Sequence, residues 1–188
     1  KNVFHNPAFA GLKESHQEVS YVDWLPNLTD DMGYQSILVT SDMGWSSEIF
    51  YFNYGTQTQA DQGGIIIGDF ESASFRLSGG YGFQIKDWMF GARLNLYNHS
   101  FIDDFDIDMN YGFDLGAYKE FGNTSVGIVL KDVGGETKFL DQSLNLPMSL
   151  GIGVGQKFGN FTLASDVKVF EDYNSIGLGG QYDLGIAS

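Results

Sequence analysis

From about residue 33 onward, apolar residues alternate with small or polar ones over most of the chain. A pleated strand turns successive side chains to opposite faces, so this period dictates strands with two unlike surfaces, and helical spacing is hard to find. After Asp87, residues Trp88, Phe90, Ala92, Leu94 and Leu96 share one face, while Gly91, Arg93 and Asn95 share the other. The longest run sets Phe105, Ile107, Met109, Tyr111, Phe113 and Leu115 against Asp104, Asp106, Asp108, Asn110, Gly112 and Asp114. Met148 to Gly155, Phe161 to Val169 and Ser175 to Leu184 repeat the pattern.

Between these runs lie short turn-like stretches, such as Lys86-Asp87, Phe121-Gly122-Asn123 and Phe158-Gly159-Asn160, and longer polar ones at residues 55–69 and 134–146. Short turns at one end and long loops at the other predict an up-and-down antiparallel meander. Strands are expected near 17–24, 33–42, 46–54, 71–85, 87–100, 104–120, 123–133, 147–158, 160–170 and 174–185, about ten in all. With 25 Gly, 3 Pro and 15% aromatic residues in 188, the composition fits many strands joined by tight turns. Nothing in it marks a second domain behind a linker.

The formal charge is −14, so a phosphate backbone is repelled and nucleic-acid binding is not expected. Cysteine is absent, which removes disulfide scaffolds and thiolate metal sites. No run of about 18 apolar residues exists to make a transmembrane helix, but strands cross a bilayer with far shorter alternating segments. No apolar signal segment opens the chain, which begins Lys1-Asn2-Val3-Phe4, so a mature or trimmed form is expected.

Alternation alone also fits a soluble barrel or a sandwich. The polar phase separates the cases. A water-facing phase is rich in Lys, Glu and Thr, whereas this one is mostly Gly, Ser, Asn and Asp with isolated basic residues, which suits a crowded, hydrogen-bonded barrel interior. The apolar phase carries large side chains over enough positions to cross a bilayer, and Trp45, Tyr51, Tyr54, Tyr81, Trp88 and Tyr182 are placed to form interfacial girdles. The expected fold is therefore an all-β, antiparallel up-and-down transmembrane β-barrel.

Asn6-Pro7-Ala8-Phe9-Ala10-Gly11-Leu12 resembles the Asn-Pro-Ala element that precedes the first barrel strand in FadL-like outer-membrane proteins. Glu18-Val19-Ser20-Tyr21, Trp24 and Gly33-Tyr34 follow in the order seen in the PorV and PorQ branch. More specific matches are Tyr54-Gly55, Ala60-Asp61, Gly63-Gly64, Ile67-Gly68-Asp69-Phe70, Ser72-Ala73 and Gly80-Tyr81-Gly82. They continue through Gly91-Ala92-Arg93-Leu94, Phe113-Asp114-Leu115-Gly116, the run Val126 to Gly134, Leu146-Pro147, Leu150-Gly151 and Gly177 to Tyr182, spanning nearly the whole chain. The resemblance implies a barrel at residues 17–188 and, at 1–16, a short plug tucked inside it through Asn6, Pro7 and Ala8. Relatives of that class have about fourteen strands, so a larger barrel of which some ten strands are visible is expected. The chain stops at Ser188 without a terminal strand ending in an aromatic residue, which departs from the pattern and fits a truncated or engineered version.

The acid column Asp104, Asp106, Asp108 and Asp114 offers hard oxygen ligands for a cation such as Ca²⁺. The ordinary alternative is a cluster of lumen charges in which these carboxylates face Arg76, Arg93 and Lys168, and that is the expectation, with no metal and no cofactor. His5, His16 and His99 are scattered, no Gly-x-Ser-x-Gly elbow occurs, and no glycine run precedes a helix, so no catalytic residue is expected and an enzyme is not. The resemblance implies a non-catalytic component of the type IX protein-secretion pathway in the bacterial outer membrane, in contact with lipid and with translocon subunits or secreted cargo. Two alternatives stay open: a FadL-like channel for a hydrophobic ligand such as a fatty acid, and a soluble or engineered β-barrel.

Overall fold

The computed structural model describes residues 3, 5–24, 31–101, 110–139 and 142–185. It is almost entirely β. Among the described residues a short 3-10 helix at Pro7–Leu12 precedes twelve strands: β1 His16–Asp23, β2 Met32–Thr40, β3 Trp45–Ala60, β4 Ile66–Ile85, β5 Trp88–Phe101, β6 Asn110–Phe121, β7 Thr124–Val133, β8 Glu136–Phe139, β9 Gln142–Asn145, β10 Ser149–Phe158, β11 Phe161–Phe170 and β12 Asn174–Tyr182. Ten of them form one sheet in the order β1-β2-β3-β4-β5-β6-β7-β10-β11-β12, every neighbour antiparallel, and β8 pairs with β9 as a separate hairpin.

The sheet matches the up-and-down meander that the alternation predicts, with one difference of closure. β1 and β12 are its two edges, so it is an open sheet rather than a closed barrel among the described residues. Two loop expectations are corrected. Residues 55–69 are not a loop: β3 and β4 run on past Asn53 through a bulge and turn at residues 61–65. Gly55 supplies the positive φ that the bulge needs, and a polar strand of Gln and Thr lacks the apolar period by which a strand is recognised. Residues 134–146 likewise contain the β8–β9 hairpin.

The burial pattern is inverted relative to a water-soluble sheet. Along β5, Gly91, Arg93 and Asn95 are buried while Ala92 and Leu94 are exposed; along β6, Asp114 is buried while Phe113 and Leu115 are exposed. Ile49, Leu77, Ile128, Leu150, Ile152 and Val167 are exposed on that same outer face. Outward aromatics cluster at the short-turn end, where Trp45 pairs with Tyr81, Phe83 with Phe90, and Phe158 with Phe161, itself paired with Tyr182. At the other end Tyr51 pairs with Phe75. Tyr54, expected in a girdle, faces inward instead: it shares the phase of Ser46 and Glu48, and its hydroxyl lies 3.2 Å from Ser74 Oγ.

Candidate functional site

The N-terminal segment sits on the inner face. Asn6 caps the short helix, its Oδ1 accepting from Ala8 N at 2.9 Å, and Pro7 at the first position needs no amide partner. The Asn6 Nδ2 donates to the carbonyls of Ala117 on β6 and Ile128 on β7, both at 3.2 Å, so one side chain ties the segment to two strands. Beneath it runs a row of three paired glycines, Gly82, Gly91 and Gly116 on β4, β5 and β6. A Cβ on Gly82 would overlap Gly11 N, one on Gly91 the Pro7 carbonyl, and one on Gly116 Asn6 Oδ1. The backbone of the segment therefore lies directly on the backbone of the sheet. Pro7, Ala8, Ala10 and Gly11 are buried there, and Phe9 packs edge-on against Tyr118 with ring centroids 4.8 Å apart.

Beside this seat lies the charge network. Arg93 on β5 stands opposite Asp114 on β6, and its Nη2 and Nε donate to Asp114 Oδ2 at 2.9 and 3.2 Å. Both side chains are buried, Arg93 at 3% and Asp114 at 0% exposure, so the pair is removed from water and each partner is needed by the other. Arg93 Nη1 also lies 3.7 Å from Glu48 Oε2 and donates to the Val3 carbonyl at 3.5 Å. Arg76 Nη2 donates to the same Glu48 oxygen at 3.2 Å, its guanidinium 5.0 Å above the Phe50 ring. The second oxygen of Asp114 accepts from Asp132 N at 3.0 Å, and Asp132, held at φ 58, accepts from the Tyr97 hydroxyl. Ser78 Oγ donates to buried Asn95 Oδ1 at 2.7 Å.

Of the expected lumen cluster, the structure brings Arg76, Arg93 and Asp114 together. Lys168 lies apart from them on β11. Asp104, Asp106 and Asp108 lie outside the described residues. Sequence reasoning missed Glu48, which links the two arginines, and Asp132 with Tyr97. The available signal for Glu48 was a lone carboxylate in the small-polar phase of a strand.

Between the segment and β7, β10 and β11 lies a cavity of about 630 Å³, with His5, Phe9, Tyr118, Lys131, Asp166 and Lys168 in its lining. The β10 side is bare backbone at Gly151, Gly153 and Gly155. His5 belongs to the segment, outside the strands. Burial, and then the charges of Lys131, Lys168 and Arg93, hold its pKa below the usual 6.5, with Asp166 opposing. Among the described residues no three His, Asp or Glu side chains converge on a metal-sized site. Compared with family models, curated proteins and solved structures, the chain matches none of them.

Proposed function

We propose that this chain is an outer-membrane β-barrel protein that acts as a non-catalytic component of a protein-secretion or cargo-attachment pathway. The observation that carries the membrane part is the inverted burial: ion pairs, Asn95 and Ser78 inside, large apolar side chains outside, with aromatics at both rims. In water that outer face would be a large exposed apolar surface, whereas in lipid it is solvated. Its height agrees. On β4 the outward positions from Phe75 to Ile85 span ten steps of about 3.4 Å, which at a tilt of roughly 40° is about 26 Å, against an apolar band of about 25 Å. Lipid also requires that the edges of β1 and β12 be paired, since unpaired backbone is costly in hydrocarbon.

The secretion role rests on the resemblance of residues 6–12 and of the strand motifs to the PorV and PorQ branch. The seated segment and the Arg76–Glu48–Arg93–Asp114 network fill part of the inner side, which is consistent with a role other than conduction. The cavity beside the segment favours a second reading, a FadL-like channel for a hydrophobic small molecule. Crosslinking in native outer membranes followed by detergent purification separates the readings. Recovery of translocon subunits or secreted cargo is the expected result. Barrel recovered alone with fatty acid or other lipid in its interior would replace secretion by transport, and protein in the aqueous fraction would overturn the membrane reading.

A further inference from the structure

The β3–β4 hairpin outruns its neighbours. Among the described residues, β2 pairs with β3 only as far as Met32 with Tyr54, and β5 with β4 only as far as Phe101 with Ser72. β3 and β4 continue together from Thr56 with Glu71 to Ala60 with Ile66. This arm is built, not slack. At its base the Thr56 hydroxyl donates to Asp31 Oδ2 at 2.9 Å and Gly55 N to Asn53 Oδ1 at 3.0 Å. At its tip Asp61 Oδ1 accepts from Gly63 N at 2.8 Å and Ile65 N at 2.9 Å, and Gly64 at φ 80 closes the turn. That ordered tip presents three consecutive isoleucines, Ile65, Ile66 and Ile67, exposed by 67, 70 and 60%. Neighbours in a strand point to opposite faces, so both sides of the tip are apolar.

Lipid does not account for them. Ile66 lies nine steps beyond Phe75 in the outer aromatic row, about 30 Å along the strand, outside the hydrocarbon band. The charge on the arm and on the strand ends next to it in the chain is of one sign: Asp61, Asp69 and Glu71 are exposed on the arm, Asp23 and Asp31 lie at the same end of the sheet, and no Lys or Arg occurs between Glu14 and Phe75. An apolar anchor in a negative field repels lipid phosphates and selects a positive surface. We propose that the tip of the β3–β4 hairpin is a docking arm for a cationic protein segment with apolar side chains, the isoleucines entering its pocket and the acids meeting its basic rim. The proposal rests on the membrane-barrel reading for the side of the sheet involved, and not on the secretion reading.

The test places the full chain in phosphatidylcholine nanodiscs and titrates a fluorescent peptide of alternating lysine and leucine, against a matched glutamate-leucine peptide and empty discs. The lysine-leucine peptide is expected to bind the protein above the empty-disc level, while the glutamate-leucine peptide does not. Replacing Ile65, Ile66 and Ile67 together by Ser should weaken binding about tenfold or more, and raised salt should weaken it further. The variant Asp61→Asn is left out because Asp61 builds the turn; Asp69→Asn with Glu71→Gln tests the charge and should also lower affinity. Equal binding by the isoleucine variant, or none above empty discs, overturns the docking arm. A chain that stays in the aqueous phase instead of entering discs refutes the barrel reading, and the same wild-type and variant comparison, run in solution, still decides the arm.

Discussion

At the scale of single residues, two ion pairs carry different weight because one is short and dry and the other is longer and reaches solvent. Asp114 lies at 0% exposure against Arg93 and also accepts the Asp132 amide, so Asp114→Ala removes the acceptor of Nη2 and Nε on a buried guanidinium and of a half-buried N–H. A loss of about 3–5 kcal/mol is expected. In the Lys119–Asp87 pair the carboxylate is exposed and screened by water, and Asp87→Ala should cost about 0–1 kcal/mol. Urea unfolding in lipid vesicles compares the two directly. His5 supplies a pH dependence. Its folded pKa lies below 6.5, so docking of the segment is unaffected well above that pH and weakens as pH falls through 6.5, where the undocked histidine takes up a proton more readily. Hydrogen exchange at Ala8 to Leu12, corrected for intrinsic rate, should rise on acidification, and His5→Gln should flatten that response.

At the scale of elements, the row Gly82–Gly91–Gly116 decides where the N-terminal segment lies. Each glycine is opposite the next, so three absent side chains across three strands make a lane for a backbone. Gly91→Val would drive a Cβ into the Pro7 carbonyl and should free the segment, abolishing exchange protection at Ala8 and Ala10 while the β-sheet circular dichroism persists. Gly79→Val is the control, since a Cβ there meets nothing within 4 Å. Retained protection in the Gly91 variant would mean that Asn6 alone holds the segment.

At the scale of the whole molecule, the two faces want different solvents, and substitution on each should reveal which. Ile152 is exposed on the outer face of β10, and Ile152→Arg should reduce insertion into vesicles by about 2–4 kcal/mol in a depth-dependent way. Gly153, the next residue, faces the cavity, and Gly153→Ser should insert like the wild type. Equal behaviour of both variants would argue that the outer face meets water.

The ten strands of the main sheet, the meander and the division into apolar and polar faces were legible in the sequence, because the pleat period is local and each of these strands carries its own record of it. Asn6-Pro7-Ala8 was legible as a turn for the same reason, and Arg93 and Asp114 as members of one polar phase. That Asp114 faces Arg76 and Arg93 was expected as well; the specific pairs, and Glu48 among them, were not. Arg93 meets Asp114 through the β5–β6 register, and Glu48, from a strand whose polar phase gave no hint of a basic neighbour, reaches both Arg76 and Arg93. The extension of β3 and β4 beyond Asn53 was equally hidden, since a bulge at Gly55 breaks the period on which recognition depends. Nor does alternation say which face the N-terminal segment covers: that follows from three glycines aligned across separate strands, where the segment's backbone lies against the sheet. Period is a property of neighbours in the chain, whereas register, curvature and pairing are properties of residues brought together from far apart.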